Sequence, residues 1–389
     1  MKPTRRDFIG IGVGGVAAVG LGAAFWDELF GAVAESSAKQ GSGYGPRGAP
    51  DEHGLRLPEG FRSRLVARGG EEVPSTGYRW HEASDGMASF PSGDGGHILV
   101  SNSETVVGGA SAIRFGPDGE AHDAYRILEG TTQNCSGGGT PWGTWLSCEE
   151  VEGGQVWECD PAGGRRAAAR PAMGAFKHEA AAVDPRARCV YLTEDLIDGG
   201  FYRFTPERWP DLSEGRLEIA VVAVNGSVTW HPVPDPSAAT TPTRQQVPGS
   251  TRFARGEGIW FDSGIVYVAT TADNKVHAYD TRRRRIEVIY DAAALTDPPL
   301  TGVDNITVAR SGDLYVCEDN GTGMLDIVLI TPGRRIARFI TASGPHHTTS
   351  ELCGVVFDPR GRRLYFSSQR FDGTGAVFEV TGPFRTRWL

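Results

Sequence analysis

A short apolar run that opens on Gly or Arg and ends on a carboxylate or its amide recurs six times along the chain. It reads GHILVSNSE at 96–104, GTWLSCEE at 143–150, RCVYLTED at 188–195, GIVYVATTAD at 264–273, GDLYVCED at 312–319 and RRLYFSSQ at 362–369. Spacings of about 45 to 50 residues, with one gap of about 75, are those of propeller blades, each a sheet that cannot bury both faces alone. Six such units stacked radially close a ring, so the predicted fold is an all-β, six-bladed β-propeller.

A second apolar run lies upstream of each strand and opens on a polar residue: Asp85 in HEASDGMASF, Cys135 in NCSGG, Glu179 in KHEAAAV, Glu257 in RGEGIWF, Asn305 in VDNITVA and Glu351 in SELCGVVF. Turn-forming stretches such as PSGDGG, DPRAR, DSG, RSG and DPRGR separate each opening from its strand, so every pair reads as a hairpin. A hairpin begins and ends on one side. If these are the two inner strands of each blade, opening residue and closing carboxylate project together at one mouth of the central channel, which is then ringed with acid.

The 389 residues, 53 of them Gly, fit one large all-β domain over 56–389. Net charge is −9 with basic residues scattered, and the one basic run, Arg282 to Arg285, sits in a polar turn, which argues against nucleic acid as a partner. Residues 1–34 read as a twin-arginine signal: Thr4-Arg5-Arg6-Asp7-Phe8-Ile9, an apolar stretch weakened by Gly, and a small-residue cleavage site at Ala32-Val33-Ala34. The twin-arginine translocase is thus an expected partner during export to the periplasm or beyond, with no stable membrane span after cleavage and a monomer as the expected product. That route carries proteins folded beforehand, which suits one that loads metal in the cytosol. Residues 35–55 read as a flexible leader. The long gap at about 205–250 reads as extra outer strands and a long loop on one blade.

Six cysteines in an exported protein allow three disulfides, with Cys148 and Cys159 bracketing a hairpin as a candidate pair. Cys189, Cys317 and Cys353 lie in apolar strands and read as core thiols. Cys135 differs, because it sits in a glycine-rich entry at a slot filled by carboxylates in other blades. Gathering Cys135, Glu179, Glu257 and Glu351 on one axis brings like charges together, and bound cations are the natural remedy. Carboxylates suit calcium or magnesium, whereas a thiolate among them calls for a transition metal as well. In each closing doublet only one acid faces the channel, since alternate residues of a strand point to opposite faces. No nucleophile elbow, phosphate loop or dinucleotide fingerprint competes with this reading.

These segments resemble the PhoX family of bacterial alkaline phosphatases. The resemblance rests on NCSGG with TPWGTWLSCEE at 134–150, KHEA with VDP at 177–185, LTED at 192–195, FYRFTP at 201–206, RGEGI at 255–259, Asp304-Asn305 and CED at 317–319. It implies Fe3+ and Ca2+ at a site that hydrolyses phosphomonoesters, with Cys135, Glu257 and Glu351 as iron ligands and Glu179 and Asp195 as further ligands. Asn102 and Glu104 fall where the family meets phosphate or calcium. Two departures from the family pattern stand out: the chain is shorter than typical members, and Thr349 occupies the place of a phosphate-binding arginine, for which Arg255 or His347 are the candidate substitutes. The residues themselves leave two other functions open, a calcium-dependent lactonase-type hydrolase and a non-catalytic propeller that binds a partner.

Overall fold

The computed structural model describes residues 43–386, so the signal expected at 1–34 and the start of the leader lie outside the described residues. The strands form six antiparallel sheets arranged as the six blades of a propeller. Numbering blades along the chain, the two inner strands are Ser84–Pro91 and His97–Ser103 in blade 1, Asn134–Gly139 and Trp145–Glu149 in blade 2, and His178–Asp184 and Cys189–Glu194 in blade 3. They are Gly256–Asp262 and Ile265–Thr270 in blade 4, Val303–Val308 and Leu314–Glu318 in blade 5, and Leu352–Phe357 and Arg363–Ser368 in blade 6. Each opening and closing run of the sequence therefore forms the expected inner hairpin.

The ring is closed by exchange of one strand: Arg62–Arg68 pairs with Ala376–Thr381 and becomes the outer strand of blade 6. Breaking the ring thus requires separating the two ends of the propeller, which stiffens the channel walls that hold the site. Blade 3 carries the expected elaboration, a long strand Asp211–Val222 followed by a fifth strand Val228–Pro232. Apolar side chains fill the spaces between neighbouring blades, with Trp80, Trp145, Tyr191, Tyr202, Tyr315 and Tyr365 among those fully buried.

The leader is not free over its described part. Leu55–Arg56 adds a strand to blade 5 by pairing with Ala342 and Thr341, Arg47 reaches Asp326 at 3.1 Å, and the Tyr44 ring packs on Phe61 and Phe339. A few anchors in a polar segment suffice to dock it, and average composition does not register them.

The first inner strand of every blade shares a local defect. The register with the second strand slips at Ser84/Met87, Asn134/Gly137, His178/Ala181, Gly256/Ile259, Val303/Ile306 and Cys353/Val356, a β-bulge at the mouth end of every blade. A bulge bends the strand and re-aims a side chain. Neighbouring strands nearly touch there, which calls for glycine in several blades: a Cβ on Gly86 would meet the Ser136 backbone at 2.5 Å, and one on Gly258 the Asn305 backbone at 2.6 Å. Below the bulges the channel has a volume of about 600 Å³ and is walled largely by apolar side chains, among them Met87, Phe90, Ile259, Trp260 and Val355.

Candidate functional site

The mouth is built from one backbone contact repeated around the ring. In each blade the N–H that follows the second strand donates to the carbonyl that precedes the bulge. The pairs are Glu104 to Ala83, Glu150 to Gln133, Asp195 to Lys177, Thr271 to Arg255, Asp319 to Gly302 and Gln369 to Glu351, at 3.0, 2.9, 3.2, 3.0, 2.8 and 3.1 Å in turn. These are ordinary lengths for backbone hydrogen bonds. Two residues after each carbonyl comes a third equivalent position, occupied by Asp85, Cys135, Glu179, Glu257, Asp304 and Cys353. This last set forms the innermost ring, and every member is buried.

Ligand atoms within this set and its rim lie within 4.8 Å of one another in four overlapping groups: Asp85, Glu104 and Cys135; Asp85, Glu351 and Cys353; Cys135, Glu150 and Glu179; Glu179, Glu257 and Asp304. Shared members make the four groups one continuous belt. Burial, and then the charge of neighbouring acids, pushes the Glu179 and Asp304 carboxyls well above the usual range. Glu257 is raised likewise, by burial and then by Asp195. Glu351 is pushed up to about 8 by burial and the nearby Asp85. Glu150 is pushed up to about 9 by burial and its hydrogen bond with Asp195.

Three cations stand on the rim. Lys177 Nζ lies 2.7 Å from Glu150 and 2.9 Å from Asp195. Arg255 spans Asp195 at 2.7 Å and Glu257 at 2.8 Å, and Arg370 Nη1 lies 2.7 Å from Glu351 Oε2. Burial raises the Asp195 carboxyl, but hydrogen bonds from Arg255, Glu150 and Lys177 outweigh it and bring it to about 2. The cations therefore serve mainly the rim acids, and much of the innermost ring stays uncompensated. Both carboxylate oxygens of Glu179 are buried and have no hydrogen-bond partner among the described residues. Buried polar groups are otherwise almost always paired, and an ionised carboxylate without a donor is costly to bury. A metal ion coordinated by Glu179 supplies the missing partner, so the donor set fits a metal centre.

The structure brings Glu104, Cys135, Glu179, Asp195, Arg255, Glu257 and Glu351 to this mouth. It does not bring two other expected residues there. The Asn102 amide is spent on blade 2: Nδ2 donates to the Cys135 and Ser136 carbonyls at 3.1 and 2.7 Å, while Oδ1 accepts from Trp145 and Ser147 at 2.9 and 2.8 Å. It is a stitch between blades that holds the Cys135 bulge. Asn102→Ala leaves those four groups unpaired, and the expected loss is about 2–4 kcal/mol of stability, measurable as a lowered urea midpoint. His347 is also occupied, with Nδ1 on Ser368 and Nε2 donating to the His53 carbonyl.

Further corrections concern register and sulfur. Asp304, not Asn305, faces the belt, since the Asn305 amide donates to Asp304 and accepts from the Gly354 N–H. All six cysteines are free, because Cys159 stands opposite Trp145 while Cys148 stands opposite Val156. Cys353 is not an ordinary core thiol but a member of the belt. Alternation sorted the closing doublets as expected: Glu149, Glu194 and Glu318 turn away to bind backbone N–H groups of their own loops. Asp304 and Cys353 were the residues missed, while Asp85 was read as the opening residue of its hairpin and Glu150 as one of a closing doublet, neither singled out as a ligand. The signal for Asp85, Asp304 and Cys353 was the shared phrase of one acid or thiol before a small or amide residue, seen in SDG, VDN and LCG as in NCS and GEG.

The family model described as alkaline phosphatase PhoX matches residues 107–158 and 152–293, stretches that contain Cys135, Glu150, Glu179, Asp195 and Glu257. The resemblance to the PhoX family is borne out over these residues. PhoX proteins are metal-dependent, in keeping with the donor set described above. A second model, described as the ubiquitinol-cytochrome C reductase Fe-S subunit TAT signal, matches residues 1–27. The chain is therefore exported by the twin-arginine pathway, to the periplasm or beyond. Among the described residues no helix is long and apolar enough to cross a membrane.

Among solved structures, Pseudomonas fluorescens PhoX in complex with vanadate, a transition state analogue, superposes with a TM-score of 0.71 at 17% identity, over 87% of this chain and 97% of that one. A Bacteroides thetaiotaomicron protein of unknown function superposes with a TM-score of 0.53 at 11% identity, over 87% and 83% of the two chains. The likeness is one of fold, and its span means that the short length of this chain does not remove a blade. No curated protein sequence matches the chain.

Proposed function

We propose that this exported propeller is a metal-dependent phosphoric-ester hydrolase acting at the channel mouth, with Fe3+ and Ca2+ as its metals. The observation that carries the reading is Glu179, a carboxylate wholly buried among acids with neither oxygen paired among the described residues. Oxygen donors of this kind suit calcium, and the thiols of Cys135 and Cys353 in the same belt suit iron. A lactonase site built on calcium alone has no use for sulfur at two of six equivalent positions. Metals held here supply charge for the phosphoryl oxygens and activate the attacking water.

The chain's own residues account for binding. A phosphoryl group entering the mouth meets the rim cations first. Arg255 and Lys177 are each engaged with two carboxylates. Arg370 is different: one nitrogen holds Glu351, its backbone N–H is fixed by Ser350 Oγ at 2.9 Å, and Nε and Nη2 have no hydrogen bond among the described residues. Its side chain is 44% exposed, so it can present those two N–H groups to a phosphate oxygen. Arg370 thus takes the part for which Thr349 has no charge, ahead of the Arg255 and His347 considered from sequence. Glu351, paired with Arg370, keeps the guanidinium over the belt and not out in solvent.

The test is turnover of p-nitrophenyl phosphate by the exported protein. Arg370→Gln is expected to lower kcat/KM by about 10²–10³-fold, the usual cost of removing a charge-assisted donor to a transition-state oxyanion, with metal content unchanged. Unaltered kcat/KM in that variant contradicts the assigned role.

A further inference from the structure

The innermost ring is not uniform. Read around the propeller, blades 6, 1 and 2 contribute Cys353, Asp85 and Cys135, whereas blades 3, 4 and 5 contribute Glu179, Glu257 and Asp304. One half offers sulfur on either side of a carboxylate, and the other half offers oxygen alone. Resting on the metal-centre reading above, we propose that Cys353 is a second thiolate ligand of the transition metal, on the sulfur side of the ring.

Three observations support Cys353 in this role. It stands two residues after the mouth carbonyl, the place filled by a metal-type donor in every other blade. Its Sγ lies within 4.8 Å of ligand oxygens of Asp85 and Glu351, and Asp85 also belongs to the group of Cys135. Its surroundings are also unlike those of a packing thiol. Cys148, Cys159, Cys189 and Cys317 each belong to one of the apolar clusters between blades. Cys135 and Cys353 belong to none of the six. The Cys353 thiol has only a weak contact among the described residues, 3.5 Å to the Ser84 carbonyl. When a metal binds, the S–H proton leaves to solvent and a sulfur lone pair forms the bond to the metal, as at any thiolate site. Thiolate sulfur favours iron over calcium, so a second thiol beside Asp85 biases this side of the ring toward the transition metal.

The experiment is a sulfur count on the iron-loaded exported protein by X-ray absorption, with the visible thiolate-to-iron band recorded alongside, for wild type, Cys135→Ser, Cys353→Ser and Cys317→Ser. Two sulfur neighbours per protein are expected in wild type, one in each of the first two variants, with about half of the band lost in each and no change in Cys317→Ser. Cys353→Ala serves if the serine variant does not fold, and the wild-type count needs no variant at all. A single sulfur in wild type, with the band abolished by Cys135→Ser and untouched by Cys353→Ser, overturns the proposal and leaves the phosphatase reading standing. Protein that binds no iron overturns both.

Discussion

Glu179→Met is expected to abolish metal retention and cut phosphomonoester turnover by at least about 10²-fold, while making the metal-free protein more stable. The two effects have one cause. Glu179 is buried with both oxygens unpaired among the described residues, beside Glu257, Glu150, Asp304 and Asp85, whose charges add to burial in opposing its ionisation. Such a group is kept at a cost to the fold, and replacing buried charge with an apolar side chain of similar size typically returns about 1–4 kcal/mol. Glu179→Gln separates the contributions. It removes the ligand charge but leaves an amide with no partner, so it loses metal without gaining stability. The readouts are bound metal by elemental analysis, turnover, and the melting temperature of chelated protein. A Glu179→Met protein that keeps its metal contradicts the assignment.

Removing the metals is expected to make stability depend steeply on pH, in a direction that loading reverses. In the metal-free fold the carboxyls of Glu351 and Glu150 titrate near about 8 and about 9, against about 4.3 for an unfolded glutamate. The folded chain holds protons that the unfolded chain has released, so these groups contribute stability that is fully present below about pH 4 and is lost as pH rises through 8 and 9. Asp195, held down to about 2, acts only below that window. Metal binds the ionised carboxylates and competes with protons, so its stabilisation grows with pH. Chelated protein is expected to lose about 5 °C or more of Tm between about pH 5 and pH 9, and loaded protein to stay flat or rise. Parallel curves with and without chelator contradict a metal-linked belt.

Much of this was legible in the chain because propeller blades repeat, and repetition turns weak local signals into a register. The carboxylate after four of the six second strands and the polar residue opening most first strands were readable from spacing alone, and so was the hairpin that puts them together. What spacing hides is the bulge. One extra residue in each inner strand shifts which neighbour faces the mouth, and hence Asp304 replaces Asn305 and Cys353 joins Glu351. Asn102 was misread for the same reason that polar residues often are: its amide is used to satisfy buried backbone and indole groups of another blade, contacts distant in sequence. Arg370 could not be found from a family pattern that places its arginine before the last glutamate, because here the charge arrives from the opposite strand of the same hairpin.

The central claim is that this belt is a metal centre that hydrolyses phosphate esters. The measurement that tests it most directly is p-nitrophenyl phosphate turnover by the exported protein as iron and calcium are stripped and returned, with bound metal quantified at each step. The expected result is turnover that follows bound metal, vanishes on stripping and returns on reloading; equal turnover in stripped and loaded protein, or none in protein shown to carry both metals, contradicts it.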